Sequence, residues 1–97
     1  MKTTAEILDI LRDYKIVALD KYGITSMCVC GSVARGEQTS KSDVDICYDG
    51  AVPSLLTLEM IQSDLEQLLG SSVELIRFRK NMNPLLLQRI NTEGIYV

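Results

Sequence analysis

Asp43 and Asp45 are the residues of this chain whose type and spacing most readily do chemistry. Side chains of an extended segment alternate faces, so these two acids stand on one side of a sheet while Val44, Ile46 and Tyr48 turn to the other. Two carboxylates brought to about 4 Å repel by about 4 kcal/mol at an effective dielectric of about 20, a sizeable share of a small domain's stability. A divalent cation turns that repulsion into attraction, and hard oxygen donors suit it. Upstream, Gly31 and Ser32 end an apolar run. A residue without a Cβ lets a phosphate approach the backbone, and a hydroxyl with amide donors can hold it. Each motif taken alone is most often a plain turn or a solvated strand edge; it is their combination that carries information.

The rest of the composition narrows the chemistry. The 97 residues are 46% hydrophobic and 24% charged, which describes one small globular domain. Histidine is absent, so catalytic triads, imidazole bases and nitrogen-ligated metal sites are excluded. A formal net charge of -3 argues against nonspecific nucleic-acid binding, which depends on phosphate neutralisation by Lys and Arg. Between Ala51 and Glu74 there is no Lys or Arg, whereas Arg77, Arg79, Lys80 and Arg89 follow without an intervening acid. That run is a local basic patch able to face a phosphate or an acidic partner, or simply a solvated helix end and loop. Cys28, Cys30 and Cys47 contain no C-x-x-C pair and lie in apolar runs. Buried free thiols and a reducing, cytoplasmic location are expected. No apolar stretch approaches a membrane span, and the segment from Glu6 to Lys15 is too charged for a signal peptide.

Around these residues the pattern predicts alternating helices and strands. Thr3 with Glu6 matches a capping box, followed by Ile7, Ile10, Leu11, Tyr14, Val17 and Ala18 at helical spacing up to Gly23. Ile24 to Cys30 reads as a buried strand, Gly31 to Ser42 as a polar loop or short helix, and Asp43 to Tyr48 as a second strand. Asp49, Gly50 and Pro53 make a turn. Ser54 caps a helix carrying Leu55, Leu58, Ile61, Leu65, Leu68 and Leu69 on one face before Gly70. A third strand is expected from Ser72 to Phe78. Asn83 and Pro84 then start a helix bearing Leu86, Leu87 and Ile90, with Gly94 as its stop and Ile95 to Val97 as a terminal strand. The expected architecture is α/β (α+β): one small mixed sheet of three to four strands covered by helices on one face. Met27 and Met60 fall at apolar positions and read as core fillers.

Gly31-Ser32-Val33-Ala34-Arg35-Gly36-Glu37 followed by Ser42-Asp43-Val44-Asp45 resembles the signature of the minimal nucleotidyltransferases, small members of the DNA polymerase beta-like nucleotidyltransferase superfamily. The glycine, serine, arginine and paired aspartates match position by position, and the element order agrees along the whole chain. The resemblance implies a polymerase beta-like fold and a single nucleotidyltransferase domain over residues 1–97. It implies that Asp43 and Asp45 ligate one or two Mg²⁺ ions, that Gly31 and Ser32 seat the phosphates of ATP, and that Arg35 steadies the loop or reaches a phosphate, a buried structural ion pair with an acid being the equal alternative for Arg35. The family's third acid corresponds to Glu74, in Val73-Glu74-Leu75-Ile76, as a further metal ligand or proton acceptor, although the family residue is more often Asp. A charge amid an apolar strand is costly to bury unpaired, which favours a site role for Glu74.

The activity so implied is Mg²⁺-dependent transfer of AMP from ATP to a hydroxyl. Similar proteins commonly act as antitoxins beside a small helical HEPN ribonuclease toxin, whose tyrosine they adenylylate, which implies a hetero-oligomer and no membrane partner. The alternative is a binding module of the same fold, catalytically weakened at Glu74, that neutralises its partner by contact.

Overall fold

The computed structural model describes residues 2–51, 54–79 and 81–97. Pro53 of the expected turn and Lys80 of the basic run lie outside them. The elements, in chain order, are α1 (Thr4–Tyr22), β1 (Ile24–Cys30), α2 (Gly31–Ala34), β2 (Val44–Gly50), α3 (Leu55–Leu69), β3 (Val73–Arg77), α4 (Pro84–Glu93) and β4 (Ile95–Tyr96).

Local signals start and stop the helices as expected. Thr3 and Glu6 form the reciprocal capping box, with the Thr3 hydroxyl accepting from the Glu6 amide at 3.2 Å, and Gly23 ends α1 in the left-handed conformation. The Ser54 hydroxyl accepts from the Thr57 amide at 3.2 Å, and the Asn83 side chain accepts from the Leu85 amide at 2.9 Å with Pro84 at the first turn.

The four strands lie in the order β3-β2-β1-β4, with β1 antiparallel to both β2 and β4 and β2 parallel to β3. Parallel pairing requires a crossover, and α3 supplies it. On one face Val29, Val44, Ile46 and Tyr48 pack with Ile7, Leu11, Tyr14 and Ala18 of α1 and Ile61, Leu65 and Leu69 of α3. A hydrogen bond of 3.1 Å from the Tyr14 hydroxyl to Asp64 Oδ2 ties the two helices together.

The expectation of helices on one face only is corrected here. The opposite face carries Cys28, Cys30 and Cys47, and α4 covers it with a fully buried Ile90, joined by Ile76, Phe78, Met82 and Leu86. Leu86 and Ile90 identify an apolar helix stripe, but a stripe does not specify which sheet face it meets; an apolar second face has to be covered, and α4 follows directly from β3 to do so. The three thiols are accordingly buried and free. The stripes are also narrower than expected: Val17, Leu55, Leu68 and Met60 are exposed, so Met60 is not a core filler, while Met27 is.

Ile90 is the residue that holds α4 to the sheet. Ile90→Ala should cost about 2–5 kcal/mol, the range for emptying a well-packed aliphatic site. Urea unfolding checks this through a lower midpoint at an unchanged slope.

Candidate active site

The loop between β1 and β2 delivers the acids to the end of the sheet. It is anchored at its start by Val33, fully buried in the main core, and by the Thr4 hydroxyl, which donates to the Val33 carbonyl at 2.7 Å. Gln38 Nε2 donates to Thr4 Oγ1 at 3.2 Å, holding the middle of the loop to the start of α1. Its last turn closes on itself: the Thr39 amide donates to the Ser42 hydroxyl at 2.9 Å and the Ser42 amide to the Thr39 carbonyl at 3.0 Å. Asp43 therefore emerges from a tight turn, one residue before β2 begins, rather than as the first residue of the strand.

Asp43, Asp45 and Glu74 line one cavity of about 680 Å³, a volume suited to a small-molecule ligand. Gly31, Ser32 and Arg35 line the same cavity, so all six residues singled out in the sequence converge on it. The parallel register of β2 and β3 sets Asp45 beside Glu74. Burial, the hydrogen bond with Glu74 and the negative charges of Glu74 and Asp43 push the Asp45 carboxyl up to about 6, against a smaller opposing pull from Arg35. A bound cation would relieve the same repulsion.

Gly31 has a sharper role than phosphate access. Its φ is +71°, and a Cβ there would overlap Asp45 Oδ2, so the space left by the missing side chain is filled by the carboxylate itself. Cys30, also in the cavity wall, is pushed up to about 12 by burial and then by the Asp45 charge, which leaves it a thiol and removes a cysteine nucleophile from consideration. Arg35 is committed elsewhere: Nε donates to Glu37 Oε2 at 3.2 Å and Nη1 to Glu93 Oε2 at 3.1 Å, so it links α2 to α4 across the cavity rim.

The carboxylates and the Ser32 hydroxyl that line the cavity are hard oxygen donors. Among the described residues no three acids or thiols close round a single point. The Asp43 and Asp45 carboxylates suit Mg²⁺, which takes one or two carboxylates and completes its octahedron with water and substrate phosphate.

Sequence reasoning missed two features of this site. Leu86, Arg89, Ile90 and Glu93 of α4 form its far wall, a face recognisable afterwards from the i, i+3, i+4, i+7 spacing. The basic run is also divided by the fold: Arg89 faces the acids, whereas Arg77 shares strand parity with Val73 and Leu75 on the α1 and α3 side of the sheet.

The family model for polymerase beta nucleotidyltransferases matches residues 5–97. MJ1379 of Methanocaldococcus jannaschii, provisionally named a protein adenylyltransferase, is 43% identical over the whole of both chains. A solved structure provisionally named a minimal nucleotidyltransferase superposes with a TM-score of 0.75 at 28% identity, covering 97% of this chain and 95% of its own. The fold also matches a chain in the structure of a tri-AMPylated Shewanella oneidensis HEPN toxin with its MNT antitoxin, at a TM-score of 0.63 and 18% identity over 94% of this chain and 70% of that one.

The raised Asp45 carboxyl makes a signed pH prediction for the metal-free protein. The folded state binds the proton more tightly than the unfolded chain, so the stabilisation is present at low pH and is lost as pH rises from about 4 through about 6. Relative to Asp45→Asn, which keeps a donor to Glu74 and cannot ionise, the parent should lose about 1–2 kcal/mol between those limits. Thermal unfolding of both proteins across that range measures the difference.

Proposed function

The chain belongs to the polymerase beta nucleotidyltransferase family, and we propose that it transfers AMP from ATP to a hydroxyl of a partner protein with release of pyrophosphate. The observation that carries this reading is the meeting of Asp43, Asp45 and Glu74 with the Gly31-Ser32 turn in one cavity of ligand size. The name of MJ1379 supports a protein acceptor.

In the proposed site Asp43 and Asp45 would hold Mg²⁺, which when bound would offset the charge spread over the attacking oxygen, the α-phosphate and the leaving group. Ser32 and the turn at Gly31 seat the phosphates. The acceptor oxygen forms a bond to the α-phosphorus as the bond from that phosphorus to the bridging β-phosphate oxygen breaks. The hydroxyl proton passes to a carboxylate, and Glu74, exposed at the cavity rim beside Asp45, is the group for it. Pyrophosphate leaves with the electron pair of the broken bond.

The partner we assign is a HEPN-type toxin, which makes this chain its antitoxin within a hetero-oligomer. The support is the fold shared with a chain of the complex that contains an AMPylated HEPN toxin. In the proposed reaction the acceptor protein brings its own contact surface to this domain. We place the reaction in the cytoplasm, where three buried free thiols stay reduced. Among the described residues no helix is long and apolar enough to cross a membrane.

Incubation with the partner and Mg²⁺ should move label from α-labelled ATP to the partner and none from γ-labelled ATP. Asp43→Ala should reduce transfer to background, and Glu74→Gln should slow it about 10²- to 10⁴-fold while changing ATP affinity far less. Partner mass should rise by whole AMP units. A gain of phosphate alone, or wild-type transfer by Asp43→Ala, overturns the proposal; inhibition of an unmodified partner supports neutralisation by contact instead.

A further inference from the structure

The far wall of the cavity is a helix face whose rotation is fixed at two points. Ile90 of α4 is buried among Cys28, Cys30 and Cys47, and Glu93 one turn below accepts from Arg35 at 3.1 Å. With the roll of α4 set by a packed side chain and an ion pair, Arg89 has to project into the cavity, opposite the wall that carries Asp43, Asp45 and Glu74.

The charges around the cavity show what Arg89 is free to do. Its wall holds four acids, Asp43, Asp45, Glu74 and Glu93, and two cations, Arg35 and Arg89. Arg35 is taken by Glu37 and Glu93. Arg89 makes no ion pair among the described residues. A polyanion entering this space meets three carboxylates on one side, and any divalent cations they hold sit on that side only. The opposite side needs a positive group of its own, with donors matched to phosphate oxygens. A guanidinium supplies both, in a planar fork that stays charged at every accessible pH.

We propose that Arg89 grips the polyphosphate of the nucleoside triphosphate from the α4 side of the cavity, and that Arg35 acts as a positioning residue that fixes α4 for this purpose. The assignment rests on the nucleotidyl-transfer reading of the cavity. It differs from that reading's signature in placing the phosphate-binding arginine on the last helix, outside the Gly31 to Asp45 segment. Charge developing on departing pyrophosphate would be met by the same guanidinium.

The test is calorimetry of the full chain with Mg²⁺, comparing a nonhydrolysable ATP analogue with AMP. Arg89→Ala should weaken the analogue about ten- to hundredfold, the range for losing charge-assisted hydrogen bonds, with AMP affinity unchanged. Arg89→Lys should recover part of the loss, and because Arg89 is exposed both variants should unfold at the parent's temperature. Parent-like binding of the analogue by Arg89→Ala overturns the assignment, as does an equal loss for AMP and analogue, which would place Arg89 on the nucleoside. A parent chain that fails to bind the analogue overturns the nucleotide reading itself, which separates that failure from one confined to Arg89.

Discussion

Like-charged carboxylates held together in a partly dry cavity are the constraint on which the rest of this molecule turns. Asp45 is the centre of it. Its carboxyl is partly buried beside Glu74 and within the field of Asp43, which together push it above the ordinary carboxylate range. An arrangement of this kind costs the folded state free energy, so the scaffold has to hold the acids by means other than their own interactions. The hydrogen-bonded turn at Thr39 to Ser42, the buried Val33 and the parallel pairing of β2 with β3 do so.

Glycine at position 31 follows from the same constraint. The turn out of β1 runs so close to Asp45 that any side chain would displace the carboxylate, and the backbone there is already left-handed. A residue that looks in the sequence like an opening for phosphate is also the condition for Asp45 to occupy its place. The third acid is subject to a comparable geometric demand. Glu74 reaches the cavity because its neighbours Val73 and Leu75 turn inward to the main core, which leaves it no alternative but the other face.

The second face of the sheet is where the site acquires its enclosure. Without α4 the acids would lie on an open surface, with high dielectric and weak electrostatics. Ile90 and the thiol layer draw α4 down, and the Arg35 to Glu93 pair sets its end. Exposed ion pairs contribute little stability, so the value of this one lies in the position it imposes. A sheet covered on both faces thus leaves a cavity between its acid-bearing edge and the last helix.

Local features were legible from the amino acids because they depend on residues close in the chain. The Thr3 to Glu6 capping box, the Ser54 and Asn83 caps and the glycine stop at Gly23 involve partners within a turn or two, and the alternation of Asp43 and Asp45 against Val44, Ile46 and Tyr48 is a property of any extended segment. The Gly31-Ser32 and paired-acid spacing likewise named the site's first wall. Only the tertiary structure decided the remainder: that Glu74 stands beside Asp45, that Arg35 is bound by a glutamate 58 residues away, that Arg77 and Arg89 part company, and that α4 rather than solvent faces the acids. Periodicity states which face of each element is apolar but carries no record of which neighbour that face will meet. That choice belongs to the whole chain at once, because both faces of the sheet must be covered while three carboxylates remain reachable by a ligand.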